Sequence, residues 1–482
     1  MISNESPVAA VAFHRHPMHE VWTQAWPTVL TMLSYTTMQF VDAIMVSHVG
    51  PLEVAAQGNG GLWAFAPQAF LFGFLSVVNT FVAQNIGAGR RSAVAHHGWA
   101  GVWMAIASWV LIMIPWAICL PMLFGAMGHP PELLKLEVQY GMVLAYGSIA
   151  GLVGKAMSNF FFGLQRPRII AVAAIVGNIV NVLLNYVLIY GSEGRPDWGM
   201  PGVAGVAPMG LFGSAIATVC GTIAEASIPL SLFLFGAIAR EFKTRQAWRP
   251  RAKELRDLAK LGWPVSIQFG NEIICWAIFM TILVGEFGVQ HLTAGWATLR
   301  YMHLSFMPAV GFSVATTALV GKYIGAGRPE LAANRAHWAV GMAMMYMTIC
   351  AILMAVFRRE LIGIFVSNDD PALMHEVIEI GSRLMICAAI FQTFDAIGIT
   401  YTGALRGAGD TLVPGFATII LSWGFIVGLG LWLVLTQPGL MSVGPWIGSG
   451  VYIILYGVFV GWRFERGAWR RIRLLEPTDH HV

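Results

Sequence analysis

Apolar residues in this chain gather into runs of about twenty or more, divided by short clusters of Gly, Pro, Arg and His. Each run is long enough to cross a ~30 Å hydrocarbon core as a helix. They predict twelve membrane spans, roughly over residues 24–47, 55–83, 93–122, 135–163, 168–190, 209–239, 258–285, 291–321, 332–357, 377–404, 412–437 and 444–462. The runs are continuous rather than alternating, so an outer-membrane barrel is excluded. The expected fold class is all-α and integral to the membrane.

A second, much longer pattern lies over the first. Ile-Gly-Ala-Gly-Arg occurs at Ile86–Arg90 and again at Ile324–Arg328, 238 residues later. Met45–Gly50 falls over Leu283–Gly288 in the same register, and Ala56 over Ala294. Further on, Gly163-Leu164-Gln165-Arg166 is matched to Gly403-Ala404-Leu405-Arg406, with the offset drifted to 240. A period of half the chain in so apolar a sequence predicts a duplicated transporter-like bundle. Residues 240–257 form the one long, strongly charged internal stretch. The halves are therefore placed at 1–239 and 258–482, six spans each, joined by a basic connector. An even number of spans gives both halves one orientation and leaves a cleft between two pseudo-symmetric six-helix bundles.

Composition sharpens this. The 482 residues are 57% hydrophobic and 11% charged, with a mean hydropathy of +0.66, against about 25% charged in soluble domains. The five cysteines lie inside apolar spans at unrelated spacings and suggest neither disulfides nor a metal cluster. His14, His16 and His19, and likewise His480 and His481, read as solvated tails. The N-terminus lacks the apolar core of a cleavable signal peptide. Of 29 Lys and Arg, 22 fall on one side of the predicted topology, among them Arg90, Arg166, Arg240, Lys253, Arg335, Arg406 and Arg463. The positive-inside rule puts that side, both termini and the connector in the cytoplasm. The connector could attract anionic lipid, but it reads more simply as a topology anchor. No nucleic-acid partner is implied, and a monomer is expected.

The charged residues inside spans that stand out as candidates are Asp42, Lys155, Glu225, Glu272, Arg300 and Asp395. Each costs at least ~2.5–3.5 kcal/mol near a helix centre and so needs a reason. Glu272 and Asp395 are nearest mid-span, Asp42 nearer an outer end that water can reach, and Lys155 close enough to one end to snorkel. Two carboxylates facing one cavity make a cation trap, with hard oxygens suited to Na⁺ or a shared proton. Gln268, one turn before Glu272, and Asn271 beside it bring amide oxygens. The bland alternative pairs these acids with Arg300 or Lys155 for stability. Asn178, Asn181 and Asn185 share one stripe of span 5, either gluing helices together or lining a polar cavity. The spans are interrupted by Pro27, Pro115, Pro229, Pro264, Pro308 and Pro414, which membrane helices tolerate. Gly-Ala-Gly-Arg is not a phosphate cradle, since no strand precedes it and no Lys-Ser/Thr follows.

These segments resemble the multidrug and toxic compound extrusion (MATE) family, in its NorM-like branch, over nearly the whole chain. The resemblance rests on Phe40–Val46, Val82–Arg90, Asn181–Tyr190, Glu272, the second Gly-Ala-Gly-Arg, Gln392–Asp395 and Gly403–Thr411. It implies a twelve-helix, V-shaped exporter of organic cations driven by Na⁺ or H⁺, without a cofactor. It also implies coupling carboxylates at Asp42, Glu272 and Asp395 and a matching asparagine at Asn181. Arg300, His303 and Lys155 depart from the family pattern, and Arg300 is a candidate cleft residue. A flippase of lipid-linked oligosaccharide in the wider superfamily would favour a more basic cleft. An intramembrane enzyme would need a nucleophile–base pair or a motif such as His-Glu-x-x-His, and neither is present. No ATP-binding motif appears, so the expected energy source is an ion gradient.

Overall fold

The computed structural model describes residues 16–195, 199, 201–365 and 371–475, almost all of them helical. His14, His480 and His481 lie outside the described residues. Twelve helices are long and apolar enough to cross a membrane: α1 Pro17–Ser47, α2 Pro51–Gly87, α3 Arg91–Ala126, α4 Pro131–Gly163, α5 Pro167–Glu193, α6 Gly210–Phe235, α7 Ala252–Phe287, α8 Val289–Gly325, α9 Pro329–Val356, α10 Met374–Ala408, α11 Leu412–Thr436 and α12 Val443–Glu465. They overlie the twelve apolar runs and usually extend past them, because polar residues continue the helices beyond the hydrocarbon. Five begin with proline at the first helical turn, where a missing N–H costs nothing (Pro17, Pro51, Pro131, Pro167 and Pro329). The stretch expected to be a connector over 240–257 is itself largely folded. It holds the short helix Ala237–Phe242, a tight turn at Thr244–Ala247 and the first residues of α7. The indoles of Trp99 and Trp103 in α3 donate to the carbonyls of Thr244 and Trp248, at 2.8 Å each, and pin it in place.

The two halves pack by one scheme. In the first, α1 packs on α5, α2 on α4, and α4 on α6; in the second, α7 packs on α11, α8 on α10, and α10 on α12. Across the halves α1 meets α8 and α7 meets α2, the same pairing exchanged.

The repeated pentapeptide has two structural jobs. Gly89 and Gly327 both take φ +71°, and the N–H groups of Arg90 and Arg328 reach back to the carbonyls of Asn85 and Tyr323 at 2.9 and 2.8 Å. Each copy is thus a helix C-cap that requires the left-handed conformation. Gly87 and Gly325 serve the crossing of α2 and α8. A Cβ on Gly87 would run into the Lys322 carbonyl, 2.8 Å from its carbon, and one on Gly325 into that of Gln84, 2.7 Å from its carbon. Only glycine lets the two backbones approach so closely.

The caps also correct the sequence alignment of the halves. Gln165 (φ 57°) and Gly409 (φ 93°) close α4 and α10, with Arg166 N–H bonded to Phe161 O and Asp410 N–H to Leu405 O. A Cβ on Gly163 would meet Asn79 O, and one on Gly407 would meet Thr317 O, at 2.8 and 2.5 Å. The partner of Gly163 is therefore Gly407 rather than Gly403, one helical turn further on. A slip of four residues keeps the same helix face, so apolar periodicity cannot detect it.

Close contacts between the halves gather at the end bearing Gly87 and Gly325. Thr80 Oγ1 and Gln84 Nε2 donate to the carbonyls of Arg406 and Gly407 at 3.0 and 2.9 Å. Glu20 of α1, 6% exposed, accepts from Arg335 Nε at 2.8 Å and from the Tyr323 hydroxyl at 2.7 and 2.9 Å, with Lys322 Nζ 3.4 Å away. Lys322 also donates to Gln165 at 3.2 Å. Arg335, expected among the solvated cytoplasmic cations, is instead 4% exposed. Toward the other end Phe40, Leu62, Phe65, Ile282 and Trp296 are exposed. The halves also touch farther along, where a Cβ on Gly270 would overlap the Phe70 ring and one on Gly311 would stand 2.8 Å from Val29.

Candidate functional site

The second half carries a polar frame around Glu272 and Asp395. Gln268 Nε2 donates to Thr418 Oγ1 of α11 at 3.2 Å and to the Tyr456 hydroxyl of α12 at 3.0 Å. That hydroxyl is 2.9 Å from Thr402 Oγ1 of α10. Four helices are tied together by neutral groups, which are affordable inside a membrane when every donor has an acceptor. Glu272 and Asp395 stand beside this frame, within electrostatic reach of each other and both partly exposed at mid-span. Asn271 does something other than expected. It donates to Ser422 Oγ at 2.9 Å and accepts from the Trp423 indole at 2.8 Å, so its amide braces α7 against α11. A wide-turn segment, Ser422–Leu429, begins at that bracing point; such irregular turns recur at functional sites.

The first half holds a separate cluster. Asp42, expected where water reaches it, is 6% exposed. Its Oδ1 accepts from Asn185 Nδ2 at 2.5 Å, and its Oδ2 faces Thr218 Oγ1 of α6 at 3.4 Å. Asn185 also donates to Asn181 Oδ1 at 3.2 Å. Asn178 turns toward α1 one stripe position earlier, donating to Ser34 O at 2.7 Å. Gly177 and Gly221 make this possible: a Cβ on either would lie within 3.0 Å of the facing helix, so α5 and α6 cross tightly. Asn181 and Asn185 thus serve Asp42 in their own half while Asn178 bonds to Ser34, and the stripe does not join Glu272 and Asp395.

Between the two clusters runs a row of charge. The Tyr35 hydroxyl donates to Glu225 Oε1 at 2.5 Å. Glu225 and Arg406 both lie within electrostatic reach of Lys155, and Arg406 within reach of Glu272. Arg406, expected among the cytoplasmic cations, is 9% exposed and sits 5.7 Å from the Phe269 ring centre. Sequence reading missed its role because it lies in the last turn of α10, where the apolar run has already ended. Arg300 and His303 share an exposed face of α8. Among the described residues, no group of three or more His, Cys, Asp or Glu is arranged to hold a metal.

The sequence profile of the MatE family matches this chain twice, over residues 27–187 and 272–432. The chain is 30% identical over 448 residues to the multidrug resistance protein NorM of Burkholderia vietnamiensis, covering 92% of each. It is 30% identical over 438 residues to the multidrug resistance protein MdtK of Yersinia pestis (strain Pestoides F), covering 88% of this chain and 90% of the relative. A crystal structure of MATE in complex with MaL6 superposes with a TM-score of 0.83 at 20% identity, over 95% of this chain and 98% of that one. With twelve apolar helices in two like-packed halves and a family match in each, this chain is an integral membrane protein belonging to the MatE family.

Proposed function

We propose that this protein is a secondary antiporter of the inner membrane that exports organic cations in exchange for Na⁺ or H⁺. The reading takes residues 1–239 and 258–482 as its two moving bodies. It places both termini in the cytoplasm, following the charge asymmetry. The observation that carries it is the placing of Glu272 and Asp395, two carboxylates within reach of each other, partly exposed at mid-span and framed by neutral hydrogen bonds. An organic cation held there is displaced when Na⁺ or protons neutralise the pair. By reciprocity the cation must expel the ion in turn. Asp42 with Asn181 and Asn185 forms a second carboxylate site that tunes the ion dependence. The kinship with NorM and MdtK proteins supports multidrug efflux as the physiological setting.

The test is counterflow in proteoliposomes with Na⁺ and H⁺ gradients imposed separately. Glu272→Gln and Asp395→Asn should each abolish ion-driven export while folded protein stays in the membrane. The double variant should be no worse than either single, because residues acting as a unit are non-additive. Full ion-driven export by the double variant would sink the mechanism.

A further inference from the structure

The folded connector lies deeper than a cytoplasmic linker would. Helix α3 has 36 residues, which makes it about 54 Å long at ~1.5 Å per residue, against a hydrocarbon core of ~30 Å. An even share of the excess puts the hydrocarbon edge about 12 Å inside its start, near Trp99. Trp99 and Trp103 are the residues whose indoles hold the carbonyls of Thr244 and Trp248. The Thr244 hydroxyl also donates to Phe233 O, close to the end of α6. The turn Thr244–Ala247 is thus held against α3 and α6 at the depth of lipid headgroups.

Its surface there combines bare rings with fixed cations. Phe235, the last residue of α6, is 70% exposed and Trp248 50%, as suits rings at a membrane interface. The Arg245 guanidinium lies 4.6 Å from the Phe235 ring centre, and its Nε donates to Leu234 O at 2.7 Å. The Arg249 guanidinium lies 6.0 Å from the Trp248 ring centre. Among the described residues neither arginine forms an ion pair, and both Nη groups of Arg245 lack a protein acceptor. The acids of the segment are engaged: Glu241 accepts from Arg166 at 3.1 Å, and Glu254 is buried with one oxygen 3.8 Å from Arg251. Two guanidiniums held against rings at this depth, with no carboxylate to meet, present the planar fork that binds phosphate. A topology anchor needs only the number of basic residues and no such fixing.

We propose that Arg245 and Arg249, with Phe235 and Trp248, form a binding surface for the headgroup of an anionic phospholipid of the cytoplasmic leaflet. The lipid phosphate meets the two guanidiniums, and the rings rest among the upper acyl chains. The choice of leaflet rests on the cytoplasmic placing of the connector. This segment is the covalent link from α6 to α7, so a lipid held there fixes the joint between the halves at the membrane surface.

Lipid binding to the purified full-length protein tests this. Native mass spectrometry from uncharged maltoside micelles reads the affinity for phosphatidylglycerol and for phosphatidylcholine, each added alone. Micelles have no sides and need no transport, so the result stands apart from the export reading. The parent should prefer phosphatidylglycerol by about 25-fold, about fivefold for each of the two cations. Arg245→Gln and Arg249→Gln should each remove about fivefold of phosphatidylglycerol affinity and leave phosphatidylcholine unchanged, which also reports that the variant is folded. Arg91→Gln, an exposed cation at the start of α3, should change neither lipid. If Arg245→Gln does not fold, Arg249→Gln carries the test alone. Equal binding of the two lipids by the parent overturns the site, as does unaltered phosphatidylglycerol binding by Arg249→Gln. An equal loss in Arg91→Gln overturns it too, because the attraction is then spread over the whole basic face. Displacement of phosphatidylglycerol by millimolar glycerol phosphate, the headgroup without its chains, would assign the arginines to a soluble anion instead of a lipid.

Discussion

A single methyl group on Gly87 should pry the two halves apart. It would run into the Lys322 carbonyl and stand 2.8 Å from the carbonyl carbon and 2.9 Å from Ala326 N. Comfortable separations between carbon atoms begin near 3.5 Å, so α2 and α8 must part locally by about 0.7 Å or more. Backbone sits on both sides of the contact, and no side chain can swing clear. Overpacking of this kind costs about 1–3 kcal/mol, which biases a two-state equilibrium by about 5- to 150-fold toward the state open at this end. Gly325→Ala meets the mirror-image obstacle at Gln84 and should cost the same. Once the first methyl has separated the helices the second has room, so the double variant should fall well short of the sum.

The reporter is Ala83→Cys in a chain whose five cysteines are replaced. Ala83 is 0% exposed and faces Gly321 across the same crossing. A membrane-impermeant maleimide applied to inside-out vesicles should leave it unlabelled in the parent. It should label it in either glycine variant, with export lost in step. Gly341→Ala in α9, with open space around it, is the control and should behave as the parent. Gly87→Ala or Gly325→Ala protein that stays unlabelled and exports at the parent rate would refute the reasoning.

Two further outcomes follow from the buried acids. Glu20→Gln strips the charge facing Arg335 and Lys322 and should cost about 3–5 kcal/mol of stability or of closed state, as when one partner of a buried pair is removed. In a thermal-unfolding cycle, Glu20→Gln/Arg335→Gln should recover at least ~1 kcal/mol relative to the summed singles, and strict additivity would show that the pair is not coupled. Asp42→Asn retains the shape of the Asn185 contact, so it should leave folded yield intact and shift the Na⁺ or H⁺ concentration at half-maximal export. Asn185→Ala should reproduce that shift, and a variant with unaltered ion dependence would remove Asp42 from the coupling machinery.

Much of the architecture was legible in the chain itself. Apolar run length sets how many helices can cross a bilayer. The duplicated Ile-Gly-Ala-Gly-Arg marked two like halves, and its glycines carry a local requirement, a positive φ at Gly89 and Gly327. The mid-span carboxylates Glu272 and Asp395 announced themselves because charge there is costly anywhere on a helix. Other features exist only when helices distant in sequence come together. The partner of Gly163 is Gly407 because a cap and a cross-helix contact decide it, while periodicity is blind to one whole turn. Asn181 and Asn185 serve Asp42 because Gly177 and Gly221 let α5 and α6 cross tightly. Glu20, Arg335 and Arg406 lie where hydropathy predicts water, yet Glu20 and Arg335 are buried against each other across the halves and Arg406 is buried beside Phe269. Hydropathy and propensity act along one helix; which face of it meets a partner, and at what height, is settled by packing between helices.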